Sequence, residues 1–94
     1  MKDFSNVEAM VEDLYHKVLT YIDKNNLRKS SPWTRRRLNN GELGRLIRNK
    51  YGFWLPENPL TNPYDKHSDK FPDNLSAKII EKLYLAVKAR WDGL

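Results

Sequence analysis

Two histidines, no cysteine and a concentration of arginines are what this chain offers to chemistry. His16 and His67 are isolated. No H-x-x-x-H or H-x-x-E spacing accompanies either of them, so neither has the neighbouring donors a metal site requires. Asp65, His67 and Asp69 alternate, but alternation over five positions falls short of a ligand set. No metal is expected. The lack of cysteine excludes thiolate catalysis, disulfide staples and Cys-based zinc sites together. A Walker motif and a G-x-G-x-x-G turn are also absent, so no nucleotide cofactor is expected. Asp73 and Ser76 stand three apart, yet Asp73 reads as a helix cap and Ser76 as a first-turn residue. No catalytic residue is assigned, and the chain reads as non-enzymatic.

Binding chemistry is better represented. Between Leu27 and Tyr51 there are eight basic residues and a single acid, Glu42, a local net charge of +7 within a total of +5. The preceding segment is net −2 and the following one is neutral. Arginines so concentrated suit phosphate, whose condensed counterions are released on pairing and whose oxygens match the guanidinium fork. They equally suit an acidic protein surface. The bland alternative is a solvated face, or pairing with Glu8, Glu12, Asp13 and Asp23 of the acidic first segment. Trp33 and Trp54 add aromatic surface of the kind that anchors partners, although Phe53, Trp54 and Leu60 could instead staple a loop to the core. The segment from Trp33 to Asn49 also has the lengths of a helix-turn-helix. The candidate binding residues are Arg28, Lys29, Trp33, Arg35, Arg36, Arg37, Arg45, Arg48, Asn49 and Trp54. The partner is expected to be a protein, with DNA or RNA as the alternative.

These residues need elements to position them. Ninety-four residues make one small domain, 1–94, which buries roughly 60–65% of its unfolded surface and leaves little room for a deep cavity. With 39% apolar residues, charge of both signs and eleven aromatic rings, the chain reads as folded. No apolar run reaches signal-peptide or membrane-spanning length, so a cytoplasmic protein without a membrane partner is expected. The fold class read from periodicity is all-α, with three main helices at about 6–24, 40–51 and 73–91. The first is expected to be capped by Ser5 with Glu8, and to bury Val7, Met10, Val11, Leu14, Val18 and Ile22. A short helix over 32–38 follows from Ser30-Ser31-Pro32. Asn39 should cap the second main helix, Gly44 should allow a close approach, and Gly52 should end it. Arg45 and Arg48 are expected to face outward, near Arg35 to Arg37. Residues 53–72, with four prolines and several aromatics, should form a long ordered loop. The last helix, capped by Asp73, should pack Ile80, Leu83 and Val87 on Leu14 and Val18, with Trp91 closing one end and Gly93 terminating it. No heptad seam specifies an oligomer.

Gly41-Glu42-Leu43-Gly44, Ile47-Arg48-Asn49, Gly52-Phe53-Trp54, Asn58-Pro59-Leu60 and then Phe71-Pro72-Asp73 ahead of Ser76 occur in that order. Together they resemble an uncharacterised family of small phage and bacterial proteins, over about residues 41–80. The family pattern has leucine directly after the first glycine, where Glu42 intervenes here, and histidine where Phe71 stands. The resemblance implies a phage-type accessory protein acting on a host or phage partner in the host cytosol. It implies no activity.

Overall fold

A computed structural model describes residues 6–90, and among these the chain is all-helical. Helix α1 (Val7–Asp13) runs into a single π turn (Leu14–Val18). It is followed by α2 (Tyr21–Arg28), α3 (Pro32–Asn40), α4 (Glu42–Lys50) and the long α5 (Pro72–Arg90). Helix α5 is the spine, packed by each of the others.

The expected first helix, 6–24, is in fact two. Its start is capped by Asn6, whose Oδ1 accepts the Ala9 N–H at 2.8 Å; Ser5 lies outside the described residues. The π turn closes with the Leu19 N–H on the Leu14 carbonyl at 2.9 Å, after which Leu19 and Thr20 are extended. Thr20 then opens α2 with a reciprocal capping box. Its hydroxyl accepts the Asp23 N–H at 3.1 Å, and the Asp23 carboxylate accepts the Thr20 N–H at 3.0 Å. The extended pair breaks the helix, so α2 does not continue the phase of the preceding stripe. Ile22, expected in the core, is therefore 68% exposed, and Asn25-Asn26 lie inside α2 instead of ending it.

Helix α3 begins as expected, with Ser31 as cap and Pro32 in the first turn, and extends to Asn40. Asn39 is not the cap of α4. It is the buried penultimate residue of α3, and Gly41 alone links the two helices. The close approach anticipated at Gly44 is real: a Cβ there would lie 1.8 Å from the Asn39 carbonyl oxygen. Gly52, at φ +65°, terminates α4 in a Schellman motif. The Phe53 N–H reaches the Arg48 carbonyl at 2.9 Å and the Gly52 N–H reaches that of Asn49 at 3.3 Å.

The following segment is an ordered chain of turns. Asn58, Asn62, Asp65 and Ser68 each accept a backbone N–H two residues on. The Asn62 N–H meets the Lys70 carbonyl at 2.8 Å, closing the loop on itself. Only Phe53 of its aromatics enters the core; Trp54 stays 46% exposed and packs edge-on to Phe71, ring centres 5.5 Å apart. Asp73 is the second residue of α5, not its cap. The expectations for Trp91 and Gly93 lie outside the described residues. The core comprises Met10, Leu14, Ile47, Phe53, Ile79, Ile80, Leu83 and Val87 without exposed surface, and Val18 is only half-buried against it.

Candidate functional site

The arginines divide by helix phase. On α3, Arg35 and Asn39 are one turn apart and face α5, while Trp33, Arg36, Arg37 and Asn40 face solvent. Arg35 is only 6% exposed. Its Nε donates to Glu81 at 2.7 Å, its Nη1 donates to the Ser30 carbonyl at 2.7 Å, and its guanidinium lies 3.8 Å from the Tyr84 ring centre.

Arg48 is likewise turned inward, contrary to its expected outward position. Its Nη1 donates to the Asn39 carbonyl and to the Ser76 hydroxyl, both at 3.0 Å, and its Nε stands 3.4 Å from an Asp73 carboxylate oxygen. Ser76 donates to the Asn39 Oδ1 at 2.5 Å, and the Asn39 amide donates to the Asp73 carbonyl at 3.0 Å. This knot binds α3, α4 and the start of α5. Arg48 is inside because α3 and α4 approach so closely at Gly44, which brings the Asn39 carbonyl at the end of α3 to its fork, whereas Arg35 is inside because its face of α3 meets Glu81 and Tyr84 of α5.

Of the basic cluster, the acidic first segment pairs with Lys50, through Asp13 at 3.6 Å. Glu8 pairs with Lys82 at 4.0 Å and Glu12 with Arg90. Arg90 holds the Glu12 carboxyl below its usual range despite some opposing desolvation. Asp13 is buried. Desolvation pushes its carboxyl up, but the Tyr51 hydroxyl donating at 2.6 Å and the nearby Lys50 and Lys17 charges outweigh it, so the group sits below its ordinary value. Burial first, then the Asp13 charge, drives the Tyr51 hydroxyl above its ordinary value. Asp23 is occupied by its cap. Of the candidate cations, Arg28 bonds the Asn25 side chain at 2.8 Å, while Lys29, Arg36, Arg37 and Arg45 have no carboxylate partner among the described residues. Asn49 is exposed one turn beyond Arg45 on the outer side of α4.

Between α2, α3 and α4 lies a groove that residue types alone did not reveal. Its larger lobe, about 410 Å³, is lined by Val18, Leu19, Leu27, Leu38, Leu43 and Leu46, with Thr34, Asn26, Asp23 and Glu42 at the walls. A second lobe of about 380 Å³ continues over Gly41 to Trp33 and Arg37, sharing Thr34, Leu38, Glu42 and Leu43. Leu46 is 40% exposed and Trp33 60% exposed, with the Arg37 guanidinium 4.9 Å from a Trp33 ring centre. Helix phase accounts for the exposure of Leu46: it lies about 100° from Ile47, the residue that faces the core. Trp54, on the loop, does not line the groove.

For metals, no group of three or more His, Asp or Glu side chains converges among the described residues. Asp65 is used in a turn with the His67 backbone at 3.0 Å. No helix among them is long and apolar enough to cross a membrane. No family model, curated protein or solved structure matches this chain.

Proposed function

We propose that this is a non-enzymatic binding domain that recognises another protein through the face formed by α2, α3 and α4. The setting is the phage-type accessory role that the motif resemblance implies. The observation that carries this reading is the groove: a leucine-lined trough left open beside a largely exposed tryptophan. Apolar anchors in desolvated pockets supply most of the energy of protein interfaces, and arginine and tryptophan are enriched among them. Trp33 with Arg37 forms one end of the face and Leu43 and Leu46 part of its wall, while Arg45 is exposed on α4 but lines neither lobe.

A second reading has its own support. Lys29, Arg36, Arg37 and Arg45 have no carboxylate partner among the described residues, as phosphate-binding groups would. Against it, Arg35 and Arg48 are engaged internally, and Asp23 and Glu42 line the groove.

Affinity capture from host lysate with wild type, Trp33→Ala and Leu46→Asp tests the first reading. A partner retained in moderate salt and lost with both variants is the expected result. A captured partner indifferent to both variants would overturn it. Fluorescence anisotropy of duplex DNA, single-stranded DNA and RNA tests the second: phosphate binding would weaken steeply with salt and disappear in the Arg36→Ala, Arg37→Ala, Arg45→Ala triple variant.

A further inference from the structure

Resting on the protein-binding reading above, we propose that the groove takes a segment of another protein that carries two apolar side chains with a lysine or arginine between them. The two lobes, about 410 and 380 Å³, are each large enough for an apolar side chain and share Thr34, Leu38, Leu43 and Glu42, the last being the charged residue common to both. Glu42 is exposed and has no ion pair among the described residues. Asp23 adds a second carboxylate on the wall of the larger lobe. Negative charge thus sits at the junction of two apolar depressions, while the nearest lining cation, Arg37, is folded over Trp33 at the far end. An occupant that fills both lobes must pass the residue between its anchors over Glu42. There a cation is attracted and an acid repelled, which is the charge complementarity that selects partners.

A phosphate backbone fails the same criterion, because it would place negative charge on those carboxylates.

The test uses the full chain and labelled amphipathic helical peptides. Each carries leucines two turns apart and, on the intervening turn of the same face, lysine, glutamine or glutamate. Anisotropy should show the lysine peptide bound about fivefold more tightly than the glutamate peptide, the scale of a partly exposed ion pair set against a like-charge contact. Glu42→Lys, at an exposed position, should reverse that order. Equal binding of the two peptides, an order unchanged in Glu42→Lys, or no binding of any peptide would each overturn the proposal. If equal binding is still lost in Leu46→Asp, the protein-binding face stands and only the inferred partner chemistry falls. If no peptide binds, self-association in sedimentation velocity or binding of single-stranded DNA would identify a different occupant.

Discussion

Arg35 and Arg36 are chain neighbours with opposite roles, and the same holds for Arg48 against Arg45. Arg48→Ala strips donors from the buried Asn39 carbonyl and Ser76 hydroxyl and leaves Asp73 unpaired. It should cost about 2–3 kcal/mol in chemical denaturation, as the loss of a partner from a buried polar network does. Arg36→Ala and Arg45→Ala should stay within about 0.5 kcal/mol of wild type. Gly44→Ala should cost about 3 kcal/mol in the same measurement, because the new methyl meets the Asn39 carbonyl and the helices must part. Acid sensitivity is set partly at Asp13, whose folded carboxyl lies below its ordinary value of 3.8. The unfolded chain therefore takes up that proton at higher pH than the folded one. The contribution is fully present above the ordinary value and is lost as pH falls through the lower folded value. Tyr51→Phe removes the hydroxyl that helps hold Asp13 down, so the fall in stability as pH drops below the ordinary aspartate value should become shallower. The concentration of cations was legible in the sequence. Which of them point inward was not, because that depends on the neighbour each helix face meets.

At the scale of elements, helical periodicity located α1, α4 and α5 because each buries a stripe, and the Ser31-Pro32 and Gly52 signals marked boundaries correctly. The break at Leu19 and Thr20 escaped the same reasoning. An apolar residue at Val18 and another at Ile22 continue the spacing of Leu14, so the stripe looks unbroken, and nothing in periodicity reports the extended pair that breaks the helix. A different signal was present: Thr20 and Asp23 have capping-box spacing. Thr20→Ala should lower stability by about 1 kcal/mol in thermal or chemical unfolding, the usual cost of a lost cap. The same break gives the groove its third wall, since it turns the Asp23, Asn26 and Leu27 side of α2 toward α3 and α4. The candidate site was legible in part: Trp33 and Arg37 stand out by residue type, whereas a trough made of ordinary leucines exists only once three helices are placed together.

For the molecule as a whole, the proposed binding face is built on the core: Val18, Leu19, Leu27, Leu38 and Leu43 of the larger lobe belong to it or pack against it, and Leu46 is the lining leucine that does not. Leu46→Asp should therefore reduce partner binding while moving the melting temperature by only a few degrees, a separation that thermal unfolding beside a binding assay would check. The packing plan has another consequence. Helices α1 to α4 are seven to nine residues long, shorter than the roughly 12–15 residues below which isolated helices are marginal in water, and all of them lean on α5. On the ribosome, the segment to Phe71 emerges before the helix that must order it. A nascent chain at that point has its caps and turns written but no spine to hold them, so acquisition of the native fold waits for the synthesis of residues 72–90.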